Sequence, residues 1–264
     1  MNHNFSQDLE GLVYNGQEIA APQEDDEQVL VVAAENLVLA SMGKSNRMLL
    51  SCLSHVEHLA LYKGRLLYTT GVGLADVKTQ REEPWAESKS IRDVASWENI
   101  AYYVDASGGL FSSVANVPIS SDMVSSVCAY SEKDTGNQKV VYATEGNRIK
   151  DVFTGRTLVE TGLDLSENIT HLTSVNGFIH GLHMGKPYEF DRLVVLDKGD
   201  GKKSHTAVGS HLGELVTAYD NKDVASKTTK YLSSTGHVRD IISVPRKIVE
   251  DILAWRELAW RERK

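Results

Sequence analysis

The sequence predicts an all-β fold made of repeated units, followed by one amphipathic α-helix at the C-terminus. Three observations favour this fold class. Runs rich in Val, Ile, Tyr, Thr and Phe alternate with gaps rich in Gly, Asn, Asp and Ser, which is the composition of strands and turns. A hairpin-like pattern returns several times along the chain. Helical periodicity is nearly absent before residue 245 and clear after it.

The hairpin pattern has three clear copies: LALYKGRLLY at 59–68, VASWENIAYY at 94–103 and LTSVNGFIHG at 172–181. Each copy is introduced by an apolar-x-x-apolar pattern, which recurs at intervals of about 26 to 47 residues. These starts lie at Leu9, Val56, Ile91, Val124, Ile169, Leu212 and Val238. Each unit is therefore predicted to contain two paired strands, a link and a third strand.

Turns that begin with aspartate follow the hairpin in three of the units. They lie at Asp76–Thr79, Asp151–Gly155 and Asp197–Gly201, and their Asp, Thr and Gly residues are those that tight turns favour. A short fourth strand usually comes after the turn. The last of the three also has two carboxylates, but Gly occupies two positions that would be ligands in a calcium loop, which favours a β-turn.

Four short strands on a period of this size are typical of a β-propeller, in which each blade covers the apolar face of the next. Five or six blades fit the sequence, and six is preferred, with one blade completed by strands from both chain ends. We therefore expect a β-propeller over residues 1–244 and a helix over residues 245–264. A β-sandwich or two small barrels are the alternatives.

Residues 9–241 resemble the β-propeller superfamily. The Asp-x-x-Thr-Gly turn at Asp151–Gly155 is similar to the turn of quinoprotein-type and WD40-like blades. The chain departs from both groups, because it has no Trp-Asp dipeptide and no regular Trp after the Thr-Gly turn. The resemblance therefore extends to the architecture and to no named subfamily.

The C-terminal segment after Pro245 has the pattern of an amphipathic helix. Ile248, Ile252, Trp255 and Ala259 fall on one face, and Val249, Leu253 and Trp260 widen it. One interpretation is a helix that folds back and caps the propeller. A second is a docking or self-associating helix with Trp side chains as anchors, and a third is a membrane-surface helix. The candidate partner-binding residues are Ile248, Ile252, Leu253, Trp255 and Trp260.

Polar residues recur at the third position of the unit starts, which inner strands would place around the central channel. The candidates for a channel ligand are His58, Asp93, His171, Glu214 and Asp240, and Ser126 holds the same position in one more unit. The simplest interpretation is hydrogen bonding between adjacent blades, as buried polar groups require. A ligand, a metal or catalysis in the channel are the alternatives.

The sequence shows no Ser-His-Asp order, zinc-type Cys/His spacing or carboxylate dyad, so we assign no catalytic residue, metal or cofactor and favour a protein that is not an enzyme. The net charge of −8 argues against a nucleic-acid partner, and no apolar run is long enough for a membrane helix. Cys52 and Cys128 lie in apolar runs, which predicts buried thiols in a reducing compartment. No secretory signal is visible, so we expect a cytoplasmic location.

Together these features predict an intracellular interaction or scaffold module that binds a protein partner, or a second copy of itself, through the C-terminal helix. The alternative is a small-molecule or sugar-acting propeller that uses the polar residues of its channel.

Overall fold

The computed structural model describes residues 27–43, 45–115, 117–133, 135–196, 204–220, 223–232 and 236–262. The first unit start at Leu9, most of the charged segment at 23–28 and the Asp197–Gly201 turn lie outside these residues.

Six antiparallel sheets form the blades of a β-propeller. Blade 1 contains β1 (Gln28–Ala34), β2 (Leu37–Met42), β3 (Ser45–Ser51) and the last strand of the chain, β22 (Val238–Pro245). Blade 2 contains β4 (His58–Tyr62), β5 (Arg65–Thr69) and β6 (Ala75–Asp76), and blade 3 contains β7 (Ile91–Trp97), β8 (Ile100–Asp105) and β9 (Leu110–Ser112).

Blades 4 to 6 have four strands each. Blade 4 contains β10 (Val124–Ser131), β11 (Gln138–Thr144), β12 (Arg148–Asp151) and β13 (Thr157–Glu160). Blade 5 contains β14 (Thr170–Val175), β15 (Phe178–His183), β16 (Lys186–Glu189) and β17 (Val194–Val195). Blade 6 contains β18 (His205–His211), β19 (Glu214–Tyr219), β20 (Val224–Ala225) and β21 (Lys230–Leu232).

The ring closes through blade 1, which joins the two ends of the described chain. β22 is the innermost strand of this blade and pairs along its length with β1. The inner strands contact one another in the order β22, β4, β7, β10, β14, β18 and back to β22. Both the preferred number of six blades and the blade completed from both chain ends are confirmed.

Packing between blades explains why a central strand such as β1 is apolar at nearly every position. Val29, Val31 and Ala33 belong to the core between blades 1 and 2, whereas Leu30 and Val32 belong to the core between blades 1 and 6. Successive side chains on a strand point to opposite faces of the sheet, so both faces are buried only because a neighbouring blade covers each one.

Four of the apolar-x-x-apolar starts correspond to β-bulges: Ile91, Val124, Ile169 and Val238. The pairing register shifts between Ile91 and Asp93 and between Val124 and Ser126, so one extra residue separates two inward-facing positions. The buried Ile91 and Val94 therefore lie three residues apart instead of two. In these four units the repeated sequence pattern reflects a bulge at the start of the inner strand.

One of the unit starts predicted from the sequence was wrong. Leu212 lies in the turn between β18 and β19 with a positive φ of 49°, and the inner strand of blade 6 begins at His205. The aspartate turns, in contrast, are confirmed in the two units that the structure covers. Asp76 Oδ1 accepts the Thr79 N–H at 2.7 Å, and Asp151 Oδ1 accepts the Thr154 N–H at 2.8 Å.

Among the described residues there is one helix, α1 (Arg246–Arg261), which follows β22 directly. Pro245 precedes its first residue with φ −53° and ψ 132°, and proline favours helix starts because its missing N–H is not needed there. Within the described chain, no helix is both long enough and apolar enough to span a bilayer. Cys52 and Cys128 are both free thiols; Cys128 is buried and Cys52 partly so.

Ile252 anchors the helix in the core between blades 1 and 2, where it is 2% exposed. Replacing Ile252 with alanine is expected to lower the free energy of unfolding by about 2 kcal/mol, because the lost side chain leaves a cavity. Replacing Leu258 with alanine is the matched control, since its side chain is 58% exposed and the expected loss is below about 0.5 kcal/mol. Denaturant unfolding followed by circular dichroism measures both, and equal losses would contradict the anchoring role of Ile252.

Candidate functional site

The channel along the propeller axis is the first candidate site. It encloses a cavity of about 220 Å³ to which all six inner strands contribute. The inner strands run in the same direction around the axis, so their first residues meet at one end of the channel. His58, Asp93, His171 and Asp240 lie at this end, and the structure therefore brings four of the five residues proposed from the sequence together.

Glu214 is the exception. It begins β19, on the second strand of its blade, and both of its carboxylate oxygens accept the Thr228 hydroxyl, at 2.9 and 2.8 Å, on the exposed surface. Assigning it to the channel was wrong because the unit start had been placed at Leu212. The equivalent channel position in blade 6 is Ala207, which follows the bulge of β18.

Hydrogen bonds from one blade to the next use the same polar position three times. Asp240 Oδ2 accepts the Leu59 N–H at 2.7 Å, which links blade 1 to blade 2. Asp93 Oδ2 accepts the Val127 N–H at 3.0 Å, which links blade 3 to blade 4. These are the interblade contacts that the simplest interpretation of the sequence predicts.

Ser126 provides the third link and was not among the proposed site residues. Its hydroxyl donates to Asp93 Oδ2 and accepts the Leu172 N–H at 3.0 Å, so it connects blades 3, 4 and 5. Its place in the repeated pattern was the available signal, since a serine there can both donate and accept. The adjacent Ser125 donates to the Ile169 carbonyl at 2.7 Å and supports the same contact.

His58 lies between the two carboxylates. Its Nδ1 atom is 3.7 Å from Asp93 Oδ1 and 3.8 Å from Asp240 Oδ2, which is beyond hydrogen-bond length. The rings of His58 and His171 are 6.1 Å apart. His171 Nε2 donates to the Arg239 carbonyl at 2.7 Å, and His171 itself adopts a positive φ of 52°. The histidine rings thus fill the space between the carboxylates.

Burial controls the protonation of this cluster. It raises the pKa of Asp240 to about 7, with a further contribution from the charge of Asp93, although two N–H donors act in the opposite direction. Burial also raises the pKa of Asp93. The same desolvation lowers the pKa of His58 to about 4 and lowers that of His171, where His58 adds to the effect. Burial therefore shifts all four groups towards their neutral forms.

Among the residues that the structure describes, no group of three or more His, Cys, Asp and Glu side chains has an arrangement that could hold a metal ion. The carboxylates of Asp93 and Asp240 are occupied by N–H donors of the inner strands. The cluster therefore acts first as a set of contacts between blades.

The C-terminal helix is the second candidate site, and its two halves differ. Val249 and Ile252 are buried in the core of blades 1 and 2, and Ile248 and Leu253 pack partly against that core. Two polar contacts add to this attachment: Lys78 Nζ lies 2.6 Å from Asp251 Oδ2, and Arg256 Nη1 donates to the Met48 carbonyl at 2.6 Å.

The second half of the helix is more exposed. Trp255 is half-buried, whereas Leu258 is 58% exposed and Trp260 is 60% exposed. Of the residues proposed for partner binding, Ile248, Ile252 and Leu253 therefore pack on the propeller, and the two tryptophans carry the exposed apolar surface. The first half of the helix is therefore buried against the propeller, and the second half is more exposed.

Solved structures with the same architecture are similar to this chain at low sequence identity. A chain of a nidogen/laminin complex is 11% identical, with a TM-score of 0.52 over 83% of this chain and 98% of that chain. The WD40 β-propeller domain of Doa1 is 15% identical, with a TM-score of 0.49 over 83% of this chain and 80% of that chain. BBS1N in complex with ARL6DN is 14% identical, with a TM-score of 0.47 over 84% and 77%.

At sequence identities this low, the structural similarity supports the β-propeller fold and nothing further. No protein-family model matches the chain, and a comparison with curated proteins finds no significant similarity.

Proposed function

We propose that this protein is an interaction module that presents the second half of α1 to a protein partner. The observation that carries the proposal is an apolar face that runs from the buried first half of the helix to exposed side chains in its second half. Trp260 follows Val249 by eleven residues and Ile252 by eight, spacings that place all three on one side of a helix. Val249 and Ile252 are buried, but Trp260 is 60% exposed.

The attachment of the first half supports this role. A helix held by a buried face and by the Lys78–Asp251 ion pair loses little further freedom when it binds. Exposed tryptophans are frequent anchors of protein interfaces because they bury a large apolar area at low entropic cost. Arg256, Glu257, Arg261 and Glu262 mix both charges along the polar side, which favours a protein partner over an anionic lipid surface.

Deleting residues 254–264 is expected to abolish partner binding while leaving the fold intact. This truncation removes Trp255, Leu258 and Trp260 but keeps the buried Val249 and Ile252. A partner captured by the full chain is purified, and its dissociation constant is measured directly by titration. We expect the truncation to raise this constant more than tenfold, because one anchor side chain contributes about 2 kcal/mol or more.

Replacing Trp260 with alanine tests the same face in the full chain, and Trp97 provides the matched control. Trp97 lies on β7 of blade 3, away from α1, and donates to Gln138 Oε1 at 3.0 Å. Trp260→Ala should weaken binding, and Trp97→Ala should not. Unchanged affinity in the truncated protein would overturn the proposal. If the partner is instead a second copy of the chain, Trp260→Ala should convert a dimer to a monomer. Light scattering detects this case from the mass of the particle in solution.

A further inference from the structure

A second and larger cavity lies where the link after blade 2 meets blade 3. Its volume is about 760 Å³, within the range of about 300–1,000 Å³ that small-molecule sites occupy. Residues of the link at 84–90 and residues of blade 3 at 103–114 line it. It shares no lining residue with the central channel or with α1, so it is separate from the helix surface of the proposed function.

Aromatic side chains form the apolar wall of this cavity. Tyr103 on β8 and Phe111 on β9 are stacked, with ring centroids 5.4 Å apart and planes within 15°. The Trp85 ring lies 5.7 Å from the Tyr103 ring on the link side. Tyr103 is fully buried, whereas Trp85 and Phe111 are partly exposed and line the cavity. Trp85 and Phe111 are therefore the rings that a ligand can cover.

Neighbouring groups hold the two rings in place. Trp85 Nε1 donates to Glu83 Oε2 at 3.1 Å, and the other oxygen of Glu83 is bound by Arg65 at 2.6 Å. Gly109 leaves room for Phe111, since a Cβ at this position would lie 2.7 Å from a carbon of the phenyl ring. A ligand that enters the cavity therefore meets walls that are already ordered, which lowers the entropic cost of binding.

Asp105 brings a charged hydrogen-bond acceptor to the cavity, which it lines with a partly exposed side chain. Its Oδ1 atom accepts the backbone N–H groups of Ser107 and Gly109 at 2.9 and 2.8 Å, and the Ser107 hydroxyl at 2.6 Å. Its Oδ2 atom accepts no hydrogen bond from the residues that the structure describes. Since each carboxylate oxygen has two lone pairs, Asp105 can accept a donor from a ligand while it holds the turn.

Lys89 also lines the cavity, but its ammonium group is already engaged. The Nζ atom donates to the Tyr103 hydroxyl at 2.5 Å and lies 5.1 Å from the centre of that ring. The charged group that remains for a ligand is therefore the carboxylate of Asp105.

We propose that this cavity binds a flat aromatic ring that carries an N–H donor, with the ring against Trp85 and Phe111 and the N–H at Asp105. A flat ring suits the walls because offset and edge contacts between rings add to the burial of apolar area. A donor on the ring suits Asp105 because hydrogen bonds to an ionised acceptor are roughly twice as strong as neutral ones. A free heteroaromatic compound and the tryptophan side chain of a peptide share this chemistry.

Calorimetric titration of the full chain with indole tests the proposal. We expect a dissociation constant below about 1 mM, and at least tenfold weaker binding of 1-methylindole, which lacks the N–H. Asp105→Asn should remove the preference for indole over 1-methylindole, because the amide keeps one oxygen for the turn and replaces the other with an NH2 group, which donates. Phe111→Leu should weaken the binding of both compounds.

Asp164→Asn is the matched control. Asp164 Oδ1 also accepts a backbone N–H in an exposed turn, that of Ser166 at 2.8 Å, but Asp164 does not line the cavity. Absence of indole binding to the full chain would overturn the proposal. It would also be overturned by a preference for indole that survives Asp105→Asn, or that Asp164→Asn removes equally.

The peptide acetyl-Gly-Trp-Gly-amide separates the two sources of the ligand. Tighter binding of this peptide than of indole assigns the site to a tryptophan side chain of a partner. The reverse order assigns it to a free heteroaromatic compound.

Discussion

Replacing Gly209 with alanine is expected to force blades 6 and 1 apart and to lower the free energy of unfolding by more than about 3 kcal/mol. Gly209 lies on the inner strand β18, next to Ile241 on β22. An added Cβ would lie 2.3 Å from the Ile241 carbonyl oxygen and 2.8 Å from its Cβ. Because the nearest atom belongs to the backbone, no rotation of a side chain can relieve the contact. Denaturant unfolding monitored by circular dichroism measures the loss.

Gly146→Ala is the matched control for this substitution. At Gly146 the nearest atom to an added Cβ is Thr144 Oγ1 at 3.5 Å, which is an ordinary contact distance. We expect a change within about 0.5 kcal/mol at this exposed site. Similar losses in the two variants would mean that the close approach of β18 to β22 does not hold the ring together.

The repeat, the propeller and the closure of blade 1 could be predicted because each depends on a local pattern in the sequence. A bulge at the start of an inner strand separates two inward-facing positions by three residues, as at Ile91 and Val94. Asp93, Ser126 and Asp240 hold the third position of this pattern and make contacts between blades, which is why they could be aligned from sequence. The same position of the sequence pattern grouped His58 and His171 with them.

Other features could not be predicted from the sequence, for identifiable reasons. The inner strand of blade 6 begins with the buried His205, so an apolar rule passed over it and selected Leu212 in the following turn. The contact of Trp85 with the stacked rings of Tyr103 and Phe111 depends on how the link after blade 2 meets blade 3. No spacing along the chain indicates that these rings are adjacent.

The two halves of α1 show a limit of periodicity as a predictor. The sequence identifies the apolar face correctly, because Val249 and Ile252 are buried on it. It does not indicate how exposure changes along the helix, since Trp260 belongs to the same face and is 60% exposed.

The ionisable cluster in the channel is expected to give opposite pH dependences of stability when its members are removed one at a time. Burial raises the pKa of Asp240 in the fold to about 7 from its ordinary value of 3.8. Between these values the folded state binds more protons than the unfolded state, so the contribution of Asp240 to stability falls as pH rises. Burial lowers the pKa of His58 in the fold to about 4 from its ordinary value of 6.5, so its contribution to stability falls as pH falls.

In the unmodified protein these two contributions oppose each other between pH about 4 and about 6.5. The pair therefore adds little to the slope of the free energy of unfolding against pH. Asp240→Asn should leave only the pH dependence that His58 causes, so that this variant loses stability on acidification relative to the unmodified protein. His58→Gln should leave the slope of Asp240, so that this variant loses stability as pH rises. Each slope should approach roughly 1 kcal/mol per pH unit.

Urea unfolding at several pH values across this window measures the slopes. The other groups around the pair are present in both variants: Asp93 and His171 in the channel, and the ion pair of Arg239 Nη1 with Glu57 Oε2 at 2.8 Å beside it. Asp240 accepts one hydrogen bond from Leu59 in blade 2 and one from the adjacent Ile241, and Asp240→Asn weakens one of them. This loss lowers stability at every pH, so the slope and not the absolute value is the readout. Slopes of the same sign in the two variants would show that burial does not keep Asp240 protonated and His58 neutral in the folded protein.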